Sequence, residues 1–112
     1  MSIEMRGKEF SSMVVTATTA VAAGELMKVE DTVGVAFSAI SEGASGVMVY
    51  ECDAIEVAKA AVAMAVGEKI YLDETNKVVT TVSTDNTLCG RVKEDAADTA
   101  SVVIIDLKGY LA

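Results

Sequence analysis

A chain of 112 residues is the size of one domain, and its composition, 52% hydrophobic but only 4% aromatic, puts the apolar mass into Val, Ala, Ile, Leu and Met. A formal net charge of −8 excludes partners whose surface is a phosphate array, nucleic acid and anionic membrane alike, because such binding depends on clustered Lys and Arg. With no His, and with Cys52 and Cys89 far apart, there is neither a His-based dyad nor a Cys/His metal set, so the sequence assigns no catalytic residue, no metal ligand and no cofactor.

Residues 1–12 are mixed in charge and lack hydrophobic period. They are expected to form a flexible N-terminal arm carrying three apolar anchors, Ile3, Met5 and Phe10, ahead of a single domain over residues 13–112. From Met13 the pattern becomes that of strands: "MVVTATT" is rich in β-branched residues, and the Ala-Ala-Gly that follows supplies a turn. The apolar run over residues 13–23 is not read as an export signal, since three threonines interrupt it and Glu4 and Glu9 spoil a positive leader. No stretch reaches the roughly 20 apolar residues of a membrane span.

A near repeat then dominates the chain. "AAGELMKVEDT", from Ala22, returns as "AVGEKIYLDET", from Ala65. Strand alternation turns Met27 and Val29 inward in the first copy and Ile70 and Leu72 in the second. Gly24 and Gly67 precede the two strands at the same offset, where a residue free to adopt positive φ turns the backbone sharply. An acidic pair closes each strand, Glu30-Asp31 and Asp73-Glu74, and the chain turns back through "TVGVAFS" in one copy and "TNKVVTTV" in the other. Both read as β-hairpins.

Further strands are expected at "GVMVYEC" from Gly46, "AIEVAK" from Ala54, "TLCGRVK" from Thr87 and "SVVIIDL" from Ser101, separated by turn-rich segments. Many short strands at close spacing indicate a mainly β protein, a small barrel or sandwich built from two similar hairpin units. Residues 57–66, "VAKAAVAMAV", are the best helix former in the chain, leaving two readings open: one short helix, or an extended crossing whose small side chains pack under a sheet.

Reactive chemistry is sparse. Cys52 and Cys89 lie on alternating strand patterns and read as buried free thiols. The carboxylates cluster in turns; "DETNK" lacks the Gly and terminal Glu of a calcium loop, and "GASG" lacks the Lys of a phosphate loop. Arg6-Lys8 and Arg91-Lys93 are isolated basic sites on an acidic background. "ELMKV", residues 25–29, resembles the Met-Lys hairpin of biotin-carrier domains, which would make Lys28 an attachment site. That family has a small residue where Leu26 stands and Met where Val29 stands, and the second copy has Tyr71 at the lysine position.

Taken in series, "AAGELMKVEDTVGVAFS", "GVMVYECDAIEVAKA", "AVGEKIYLDETNKVVTTV" and "TLCGRVKEDAADTASVVIIDL" resemble the tailed-phage capsid cement, or decoration, proteins along nearly the whole chain. The family's apolar-Pro step after the middle strand is replaced here by Val57-Ala58-Lys59. The resemblance implies a small β-barrel or sandwich, commonly trimeric, that sits on the outer surface of an assembled phage head and reinforces joints between major capsid subunits. It implies no enzymatic activity and no cofactor. The expected partners are the major capsid protein of a phage and other copies of the chain, a trimer being favoured; the expected location is the virion surface, after synthesis in the host bacterial cytoplasm. Ile3, Met5 and Phe10 are then the expected capsid contacts. The alternative within the same fold is a head-fibre or receptor-binding head protein.

Overall fold

The computed structural model describes residues 4–5 as backbone and residues 10–109 with their side chains. Nine strands follow one another among them: β1 (Glu4–Met5), β2 (Phe10–Thr16), β3 (Leu26–Val29), β4 (Thr32–Ala36), β5 (Ser45–Ala58), β6 (Lys69–Asp73), β7 (Val78–Thr80), β8 (Thr87–Val92) and β9 (Val102–Lys108). The protein is mainly β, and no α-helix occurs among the described residues. All strand pairings are antiparallel, and the sheet runs β3-β4-β5-β9-β8-β6-β7, with β1 and β2 also laid against β5.

The two strands expected from "GVMVYEC" and "AIEVAK" are one, the 14-residue β5. A register shift between Cys52 and Ile55 bends this strand rather than ending it, so its first half pairs with β2 and β4, its second with β1, and β9 runs along it from Glu51 to Ala58. The boundary expected after residue 12 falls inside β2, whose ladder with β5 already starts at the Phe10 and Cys52 pair.

The repeat runs deeper than two hairpins. Val14 faces Val47 across β2 and β5, as Val57 faces Val103 across β5 and β9. Met27 faces Gly34 across β3 and β4, as Ile70 faces Gly90 across β6 and β8. The isolated bridge between Val21 and Ile40 returns between Met64 and Ala96. Each repeat is thus four strands: β2, β3, β4 and the first half of β5, then the second half of β5, β6, β8 and β9. Both expected hairpins form, but the register counterpart of β4 is β8, not β7. β7 is an insertion in the second copy.

The shared "Gly-Glu" signature has a local cause. Gly24 and Gly67 sit at φ 81 and 87, a region costly for residues with a Cβ, and the following Glu25 and Glu68 carboxylates accept from the Ala22 and Ala65 amides at 3.4 and 3.1 Å. The same turn is built twice by the same two residues.

Residues 57–66 form the extended crossing, not a helix. After Ala58 the chain makes a parallel bridge from Lys59 to Val79 and an antiparallel one from Met64 to Ala96. A helix this short is marginal on propensity alone, and the bridges supply its backbone with other partners. The bridge to Val79, with the Ala60 amide donating to the Val79 carbonyl at 2.9 Å, brings β7 back to the end of β5 and nearly closes the sheet into a barrel.

The larger core cluster joins the repeats, with Ile55, Ile70, Leu72, Val79, Ile105 and Leu107 all buried; the smaller one, around Val15, Val21, Ile40 and Met48, belongs to the first. Ile70 and Leu72 point inward as expected. Met27 and Val29 are only half-buried against the smaller cluster, while Leu26, expected outside, is buried in the larger. Apolar cover on both faces of β3 explains the difference: its alternation separates two interiors, not core from water.

Candidate functional site

The three expected contact residues fare differently. Ile3 lies outside the described residues. Met5 is in β1, opposite Ile55 of β5. Phe10 opens β2, is 47% exposed, and stacks on Phe37 with ring centroids 6.5 Å apart and planes 16° from parallel. Phe37, itself 44% exposed, was not singled out by sequence. No signal for it was available in the sequence, because the return strand reads straight through "TVGVAFS"; only the structure shows that β4 ends at Ala36 and leaves Phe37 outside the core.

Phe37 donates its amide to the Val47 carbonyl at 2.9 Å, and Val14 is the partner of Val47 on the other side of β5. Val14, Val47 and Phe37 therefore lie in a row across β2, β5 and the residue that follows β4, with Phe10 stacked on Phe37. Val14 is 75% exposed. Among the described residues, the outer edge of β2 pairs with no strand.

Elsewhere several polar groups hold the fold, while Asp106 Oδ1 is buried without a hydrogen-bond partner among the described residues. Lys59 is buried, and its ammonium donates to the carbonyls of Ala60, Ala97 and Ala100 at 2.9, 2.9 and 3.1 Å. The Asp73 carboxylate caps the β6–β7 turn; the Asn76 side-chain amide, then the Asn76 and Thr75 backbone amides, lower its pKa. Ion pairs tie the repeats together at Lys77 to Glu25, 2.9 Å, and Lys28 to Glu74, 4.0 Å.

Lys28 sits within β3, before the Glu30-Asp31 turn, and lines a small cavity of about 190 Å³ with Glu74 and Lys77. A lysine presented for attachment stands at a hairpin tip, clear of such contacts. A second groove, of about 520 Å³, separates the turn at Ala22 to Leu26 from Val57, Val78 and Val102; its polar rim includes Glu56, Glu25 and Lys77.

Cys52 and Cys89 are both buried free thiols. Burial pushes the Cys89 thiol up to about 12, and its Sγ is 3.6 Å from the Ile70 carbonyl, so a nucleophilic thiolate is disfavoured there. No group of three or more His, Cys, Asp or Glu side chains among the described residues is placed to hold a metal ion, and no helix there is long and apolar enough to cross a membrane. What the surface offers is an uncharged apolar patch on an open strand edge, a feature suited to contact with another protein.

No curated protein matches the chain. A family model for phage cement proteins matches residues 5–107, from β1 to within β9, and so takes in both four-strand repeats and the strand they share. With that span of the barrel accounted for, the chain belongs to the phage cement protein family.

Proposed function

We propose that this protein binds the outer surface of an assembled phage capsid and strengthens it by bridging major capsid subunits, acting as a small homo-oligomer, with a trimer favoured. The family match over residues 5–107 carries this reading. A nearly closed barrel with Lys59 and Asp73 engaged in turns and clamps supports it, because cementing requires a stiff body and complementary surfaces, not reactive groups. The N-terminal segment with Ile3, Met5 and Phe10 is proposed to contact the shell.

The test uses empty heads of the phage that encodes the protein, mixed with purified protein, then heated and imaged by electron microscopy. Density lying flush at subunit joints, with a higher disruption temperature, is the expected result. Heads that acquire neither density nor heat resistance refute the reading, and projecting density at isolated sites would assign the protein to head fibres instead.

A further inference from the structure

The internal repeat supplies a control that a single-copy fold lacks: the same backbone position, in the same chain, with a different residue on it. After β4 the chain leaves the sheet through Phe37, Ser38 and Ala39, and after β8 through Lys93, Glu94 and Asp95. The two exits are built alike, since Phe37 N bonds to Val47 O as Lys93 N bonds to Ile104 O, and each leads to the repeated bridge, at Ile40 and at Ala96. All six side chains are exposed. The second repeat puts three charges where the first puts none.

The contrast extends over the whole repeat. Residues 10–24, 32–41 and 43–50 contain no charged residue, and the charges of residues 10–50 are Glu25, Lys28, Glu30, Asp31 and Glu42. Of these, Glu25 and Lys28 are tied to the second repeat by the ion pairs at Lys77 and Glu74. Residues 51–109 hold seventeen charged side chains.

Val14 gives a second, independent observation. Its counterpart by register is Val57, which is 2% exposed because it packs in the cluster that includes Val79 of β7, whereas Val14 is 75% exposed. The larger core thus buries in the second repeat a position that, among the described residues, the first leaves bare. A seven-residue strand edge with no charge, no Pro and an exposed apolar row invites another chain.

We infer that the charge-free face of the first repeat, centred on Val14 and Phe37, is the surface through which this chain packs against a second copy of itself. Charge chooses the occupant. Two copies that each carry −8 repel where their carboxylates face one another, and the strand edge of residues 10–16 with the exit at residues 37–39 is where they approach without carboxylates of their own. The neighbouring copy then covers Val14 as the larger core covers Val57. This inference rests on the cement reading for its expectation that copies associate, and adds the face by which they do.

Sedimentation velocity and light scattering on the purified full chain, without capsids, test it. Phe37→Lys installs the residue that the second repeat carries at the same position, so the backbone accepts it, and Val14→Lys charges the bare edge. The wild type is expected to be oligomeric at about 10 μM protomer, and each variant to associate at least roughly tenfold more weakly, with circular dichroism and melting of the monomer unchanged. Lys93→Ser, on the equivalent exit of the second repeat, is expected to leave the mass as it is. A monomeric wild type at that concentration, or a Val14→Lys/Phe37→Lys double variant that keeps the wild-type mass, overturns the assignment. Binding to heads is measured separately: a monomeric wild type whose head binding is lost in the double variant gives this face to the shell, overturning the self-contact while the cement reading stands. An oligomer that the double variant disperses but that fails to bind heads leaves the self-contact standing and removes the cement reading.

Discussion

Replacing Lys59 by Met keeps the length of the side chain and removes its ammonium from three carbonyls. In the wild type the three N–H donors of Nζ meet three acceptors, those of Ala60, Ala97 and Ala100, so the buried charge is fully bonded. Ala97 and Ala100 belong to the turn between β8 and β9, and the Ala97 carbonyl also accepts from the Ala100 amide at 3.1 Å, so one bond of that turn survives the substitution. Hydrogen bonds from a charged donor contribute roughly 1.5–3 kcal/mol each when their acceptors are left buried, while an apolar side chain of similar volume returns about 1–2 kcal/mol. The net expectation is a loss of about 2–5 kcal/mol. At a urea dependence of about 1.5–2 kcal/mol per molar, the unfolding midpoint falls by about 1–3 M. Urea titrations followed by circular dichroism at one fixed protomer concentration measure it, since association also shifts the midpoint. A Lys59→Met midpoint within about 0.3 M of wild type would refute the claim that this ammonium holds the turn.

Burial at Cys89 makes stability fall in alkali. The thiol is raised from 9.0 to about 12, so the unfolded chain loses its proton first; the contribution is complete below about pH 9 and is lost between there and about pH 12, by a total on the order of 4 kcal/mol. Cys89→Ala removes that dependence, so its urea midpoint gains on wild type as the pH rises above about 9, and parallel curves would contradict the assignment. Gly34→Ala and Gly90→Ala are both expected to destabilise the fold by at least about 2 kcal/mol, because a Cβ at Gly34 meets the Met48 side chain and the Val49 carbonyl and one at Gly90 meets the Asp106 carbonyl. Gly90→Ala is the worse of the two, its obstacle being backbone, and the order of their melting temperatures checks this. Lys77→Ala breaks a half-exposed ion pair with Glu25 and is expected to cost no more than about 1 kcal/mol, diminishing with added salt.

Strand content, the repeat and the family were legible in the sequence because they rest on local signals: β-branched alternation, Gly24 and Gly67 at one offset, and a series of matching strand starts. The inward side of β3 was not, since Leu26 and Met27 are both apolar and only the tertiary arrangement shows that each face has its own interior. Continuity through Asp53 was equally hidden, because an exposed acid in mid-strand looks like a turn until the neighbouring ladders are known. The equivalence of β4 with β8 depends on register over a long insertion, which residue similarity around β7 disguises. Of the candidate site, Phe10 was named for its hydrophobicity, whereas Phe37 emerged only when folding stacked the two rings.

Because β5 is one unbroken backbone belonging to both repeats, tension between something held by the first and something held by the second travels along covalent bonds. Pulling the halves apart requires β2 and β9 to slide lengthwise against it, loading their ladders in shear, whereas a hinge between two modules would peel open one bond at a time. The shared strand makes the molecule a tie rod.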